Sequence, residues 1–177
     1  KHTFEELEQI RQANRYNFAG QYMQQPAPEE GGEWRKDWFK IVKKSEVPKG
    51  IKWDLFIDGA YTKDTKNDPT GFQVGAKIGN YYYILTSIDK YLEMPELIRF
   101  IPNFISSLNE EIKMIYVEPK ASGKSLKQLI QSQTSLNITE IKSNFVNSSK
   151  IENARATAPY IEGGRVILVE GAWNESY

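Results

Sequence analysis

The chain has 177 residues, 40% of them hydrophobic, and as many acidic as basic side chains, so it can bury one sizeable core and is not coated in charge for a polyanion. It has no cysteine and a single histidine, His2, which excludes disulfides, thiolate metal sites and a cysteine nucleophile, and leaves carboxylates, hydroxyls, lysines and tyrosines for any chemistry. No apolar run is long enough to cross a bilayer, and Lys1 to Ile10 is polar and acidic rather than a secretory leader, which predicts a cytosolic protein.

Phe4, Leu7 and Ile10 recur at helical spacing and predict a short amphipathic helix within Phe4 to Ala19. Gln21 to Gly32, with Pro26, Pro28 and the pair Gly31-Gly32, reads as an extended connector. Residues 1–50 are therefore expected to be an arm or linker, and 51–177 one folded domain whose regular structure begins at Lys52. Trp53 to Ile57 is an almost unbroken apolar run closed by Asp58-Gly59-Ala60, as in a strand buried on both faces. Phe72 to Ile78 alternates apolar and polar, Gly79-Asn80 supplies a two-residue turn, and Tyr81 to Leu85 completes a hairpin. Three consecutive tyrosines, Tyr81 to Tyr83, also suit base stacking, but burial of alternate side chains is the simpler account.

Leu97, Ile98, Ile101, Phe104, Ile105 and Leu108 mark a helix that Pro102 is expected to kink or shorten. Ile112 to Val117 is a second buried-type strand, ending at Glu118-Pro119. A helix follows from Gly123 to Gln133, with Leu126, Leu129 and Ile130 on one face, and then a strand near Ile138 to Phe145. The last helix, Ser149 to Glu162, is expected to turn Ile151, Ala154, Ala158 and Ile161 inward and to stop at Gly163-Gly164, before a short strand at Val166 to Val169. The order predicts an α/β fold: three antiparallel strands, then alternating helices and parallel strands, which is the ribonuclease H-like arrangement.

Two carboxylates end the two most apolar strands, Asp58 and Glu118. If those strands are parallel neighbours, they lie about 4.8 Å apart and the acids meet at the carboxyl edge of the sheet, where open α/β sheets bind ligands. Hard oxygen donors there suit Mg²⁺ or Mn²⁺, and a pair of ions about 4 Å apart serves phosphodiester hydrolysis without histidine or cysteine. The plainer alternative is that each acid caps a strand or opens a turn. Asp64 and Asp68, in the loop after Asp58, are close enough in sequence to supply an outer ligand, though turn formation accounts for both. Asp54 is on the same side as Asp58 but about 13 Å back along the strand, and is a poor partner. Gly123-Lys124-Ser125 imitates a phosphate-binding loop, but the glycine required five residues before Gly123 is Glu118, so no ATP site is expected. Between Lys120 and Arg165 there are seven basic residues against three acidic ones, a local excess suited to phosphate contacts or to a solvated face.

Phe18-Ala19-Gly20-Gln21-Tyr22-Met23-Gln24-Gln25-Pro26, then Glu33-Trp34 and Asp37-Trp38-Phe39, resemble the connector between the ATPase and nuclease halves of the large terminase subunit of tailed bacteriophages. The likeness continues through Asp58-Gly59-Ala60, Tyr116 to Gly123, Lys150 to Ala156 and Pro159 to Val166, nearly the whole chain. It implies a ribonuclease H-like endonuclease domain that cuts concatemeric viral double-stranded DNA during packaging with two divalent ions, Mg²⁺ or Mn²⁺, in the cytoplasm of an infected bacterium. Asp58 and Glu118 match the family's first two metal-binding acids. Lys120, Lys124, Lys150 and Arg155 are the candidate DNA contacts. The implied partners are DNA and, in the full assembly, the ATPase domain, the portal and the small terminase subunit, with no membrane.

The family's third acid, an aspartate in a His/Asp-rich stretch after the last strand, has no counterpart, since no aspartate follows Asp89. The expectation is a fragment trimmed near Tyr177, with Glu175 a weak substitute and poor cutting. Two alternatives stay open: a catalytically inactive module of the same fold that docks DNA or a portal, and a junction resolvase.

Overall fold

The computed structural model describes residues 34–59, 68–118, 126–133, 135–141 and 150–175. The helix expected within Phe4 to Ala19, the connector to Gly32, the Ala121 to Ser125 segment and the end of the strand expected to reach Phe145 lie outside the described residues.

Seven strands form one sheet: β1 (Lys40–Val42), β2 (Trp53–Asp58), β3 (Thr70–Ile78), β4 (Tyr81–Lys90), β5 (Ile112–Val117), β6 (Ile138–Glu140) and β7 (Val166–Val169). Their spatial order is β1-β7-β4-β3-β2-β5-β6. β3 is antiparallel to both neighbours, and every other pair is parallel. Three helices complete the fold: α1 (Met94–Leu108), α2 (Leu126–Gln133) and α3 (Lys150–Glu162). The mixed sheet with flanking helices is the α/β, ribonuclease H-like architecture expected.

The hairpin between β3 and β4 turns at Gly79, whose φ of 57° is the left-handed conformation that a tight turn needs and glycine adopts freely. α1 begins with a capping box, in which the Glu93 N–H donates to the Glu96 carboxylate, and ends at Asn109 with φ 51°. It runs unbroken for 15 residues through Pro102, so the proline does not shorten it. Leu97, Ile98 and Ile101 of α1 and Ile130 of α2 pack onto Trp53, Leu55, Ile57, Phe72, Val74, Ile115 and Val117, and this is the core. Phe100 and Phe104 meet Phe72 edge-on, with ring centroids 5.0 and 5.9 Å away.

Four expectations are corrected. β4 does not end at Leu85 but runs on to Lys90, because Thr86 to Lys90 continue the pairing with β3 beyond the unpaired Leu85. β2 is buried on one face only: Trp53, Leu55 and Ile57 point into the core, whereas Phe56 is 37% exposed, because α1 and α2 pack against the face that Trp53, Leu55 and Ile57 present. Regular structure begins before Lys52, since β1 joins the sheet edge beside β7. Ile151 is exposed, not inward: only Ile161 of α3 is buried, with Ala154 and Ala158 partly covered. The last turn of α3 is the one held to the sheet, where Tyr160 meets Tyr82 edge-on and the Arg165 N–H donates to the Tyr160 carbonyl.

Candidate active site

Two one-residue irregularities in the strands place the acids. Trp53 lies opposite Ile112 but Asp54 lies opposite Met114, so Lys113 is an extra residue in β5. Later pairs inherit that offset, Phe56 with Tyr116 and Ile57 with Val117, and the next step sets Asp58 beside Glu118. The Glu118 N–H donates to the Ile57 carbonyl at 3.3 Å, which ties the two strand ends together. Ile57 and Val117 are buried in the core, so strand alternation turns Asp58 and Glu118 to the opposite face. There Asp58 is exposed and Glu118 half-buried, on strands about 4.8 Å apart. Asp58 and Glu118 are thus neighbours in strand register.

A second irregularity, between β3 and β4, leaves Leu85 unpaired: Gly75 faces Ile84, but Val74 faces Thr86. Beyond it Gly71 pairs with Asp89, while its other neighbour is Asp58. Glu118, Asp58, Gly71 and Asp89 thus form one row across four strands on the same face. A Cβ placed on Gly71 would lie 3.4 Å from Asp89 Oδ1, so the Asp89 side chain leans over the glycine from the β4 side. Sequence reading passed over Asp89. The signal was its distance from the Gly79-Asn80 turn, but counting from the turn without the extra Leu85 sets Ile88, not Asp89, opposite Gly71.

Beneath the acids on the same face, Phe56 and Tyr116 stack with ring centroids 5.1 Å apart and planes 12° from parallel. Among the described residues no three His, Cys, Asp or Glu side chains come close enough together to hold a metal ion. The donor set that does converge, two hard-oxygen carboxylates, suits a divalent ion of the Mg²⁺ or Mn²⁺ kind.

Of the other candidates, Asp68 is exposed just before β3 and Asp64 lies outside the described residues. Glu175 is exposed in the 3-10 turn Ala172–Glu175 that follows β7. Lys120 and Lys124 lie outside the described residues, Lys150 opens α3, and Arg155 is exposed on it. Asp54 stays out of the row, four residues back along β2, as expected. No helix among the described residues is long and apolar enough to cross a membrane.

No protein-family model matches the sequence, and no curated protein matches it. Solved structures do. The large terminase of a thermophilic bacteriophage is similar over 96% of this chain, with a TM-score of 0.57 and 14% identity. The nuclease domain of the P22 large terminase is similar over 76% of this chain and 69% of its own, with a TM-score of 0.56 and 11% identity. This chain spans 42% of the length of the thermophilic phage protein. The fold is thus that of large-terminase nuclease domains.

Proposed function

We propose that the chain is the nuclease domain of a large terminase and cleaves viral double-stranded DNA during genome packaging. The observation that carries this reading is the row on which Asp58 and Glu118 stand side by side, joined by the bond from Glu118 N–H to the Ile57 carbonyl. Carboxylates on neighbouring strand ends repel one another, and a divalent cation between Asp58 and Glu118 would relieve that repulsion. Asp58 and Glu118 would hold Mg²⁺ or Mn²⁺, with Asp89 approaching from across Gly71. When bound, such ions lower the pKa of water and stabilise the leaving oxygen of a phosphodiester. The protein side of the reaction is positional: the acids address the phosphate backbone, so cutting is set by geometry more than by base sequence.

In the whole protein an ATPase domain would precede this one, with the portal and the small subunit as further partners in the host cytoplasm. A second reading, a catalytically silent docking module of the same fold, draws on the lack of three closely grouped acids among the described residues. A plasmid-nicking assay with Mn²⁺ separates the two. The nuclease reading expects nicking by the wild type and at least tenfold less by Asp58→Ala and by Glu118→Ala, each with an unchanged melting temperature. No nicking by the wild type selects the docking module, and equal nicking by all three proteins sinks the assignment of the acids.

A further inference from the structure

Asp58 closes β2 and Glu118 follows the last residue of β5, so the sheet extends from the acids in one direction only. Two residues back along each strand, about 6.6 Å by strand rise, the register sets a second row across five strands. Thr139, Tyr116, Phe56, Gln73 and Ser87 are paired in that order. Their chain neighbours Leu55, Ile57, Ile115, Val117, Phe72 and Val74 lie in the core, so the row shares the face of Asp58 and Glu118. None of the five is buried, and Phe56 is 37% exposed. The row carries no charge, whereas the acid row stands in front of it and Asp54 lies behind it.

The chemistry of the row narrows what can lie on it. Side chains on a strand stand roughly upright from the sheet, and Phe56 and Tyr116 stack with planes 12° from parallel. One face of each ring is therefore taken up by the other, and the ring edges are turned outward. Aromatic edges carry the positive end of the ring quadrupole, so they repel a cation and attract electronegative oxygen. The hydroxyls of Tyr116, Thr139 and Ser87 can donate along the same line. A basic peptide would be drawn instead to the carboxylates on either side. An uncharged strip of donors suits a sugar–phosphate backbone, whose oxygens accept hydrogen bonds and whose charge the acids repel.

We propose that this row seats the DNA backbone flanking the phosphate to be cut, with the Phe56 and Tyr116 ring edges and the Tyr116 hydroxyl meeting its sugar and phosphate oxygens. A polymer that extends to both sides of a bond held at the acids leaves them over the rim, along the acid row or over this row. Along the acid row it meets the Asp89 carboxylate; over this row it meets none. The choice of DNA rests on the nuclease reading above. Contacts of this kind are made to the backbone and not to base edges, so they fix where the strand lies without selecting its sequence.

The test is fluorescence anisotropy of a labelled duplex oligonucleotide with the 177-residue chain, in EDTA so that no cutting occurs. Phe56→Glu should weaken binding about tenfold or more, Phe56→Lys should bind at least as tightly as the wild type, and Tyr116→Phe should weaken binding severalfold. A ring needed only for folding would be disturbed by both charges alike, whereas a phosphate over it separates them. Tyr81, 49% exposed beside the turn on the opposite rim, is the control: Tyr81→Glu and Tyr81→Lys should bind within about twofold of one another. Equal affinity of the two Phe56 variants, an equally wide split at Tyr81, or no duplex binding by the wild type would each overturn the proposal. Nicking with Mn²⁺ is measured on the same proteins. A wild type that binds with the expected pattern but does not nick supports the row and defeats the nuclease reading, and one that nicks while the two Phe56 variants bind alike does the reverse.

Discussion

Asp54 illustrates how a single side chain can work against the fold that holds it. Its carboxyl is raised above the ordinary 3.8 by burial, so the folded chain holds that proton more readily than the unfolded chain does. The sign follows: stability is lost as pH rises from the ordinary value through the raised one, and at neutral pH the ionised group is a net burden. Asp54→Asn should therefore melt higher than the wild type at pH 7, and the gain should shrink as pH falls through the ordinary carboxylate range. Calorimetry across pH decides it, and a lower melting temperature for the variant at pH 7 would contradict it. Glu110 is the opposite case. It accepts from Lys44 at 2.8 Å and from Trp53 Nε1 at 3.1 Å, and chiefly the Lys44 bond holds its pKa below the usual value. The strand-end positions of Asp58 and Glu118 were legible in the sequence because each closes an apolar run, a pattern that needs no knowledge of neighbours. Asp89 was not, because its place depends on the unpaired Leu85, and a bulge is a tertiary compromise that strand alternation does not announce.

Among the elements, those marked by an apolar pattern were legible whatever their length, whereas β4 was read only to Leu85 and runs on to Lys90. β5 and β7 have the bounds that their apolar runs predict, and α1 contains every position of its helical stripe. β1 escaped because three residues carry no periodicity; its identity comes from pairing with β7, more than 120 residues further along the chain. α3 shows the limit of a helical stripe read alone. Spacing put Ile151 and Ile161 on one inward face, but the helix meets the sheet only at its C-terminal turn, so Ile151 is 56% exposed and Ile161 is 3% exposed. The two positions should part company on mutation. Ile161→Ala should cost about 2–4 kcal/mol through lost burial and a residual cavity, whereas Ile151→Ala should stay within about 0.5 kcal/mol. Urea denaturation of both variants measures the difference, and similar losses would mean that α3 packs along its whole length.

At the scale of the whole molecule, strand polarity organises the protein. Six of the seven strands run the same way, so the carboxyl ends that carry Asp58 and Glu118 lie on one rim, while the hairpin turn at Gly79-Asn80 lies on the other. β1 and β7, close to opposite ends of the described chain, are parallel neighbours, with Lys40 beside Ile167 and Val42 beside Val169, and the Glu170 N–H donates to the Val42 carbonyl at 2.8 Å. A pull applied before Lys40 and after Val169 would load these strands lengthwise in opposite directions. Their hydrogen bonds then share the force together instead of rupturing one after another, and the edge of the sheet acts as a shear clamp. Single-molecule stretching should find a higher rupture force along that axis than with handles at Lys40 and Ile167, which unzip the two strands from one end. A domain pulled from the two ends of this sheet edge would in this way withstand tension through its own backbone.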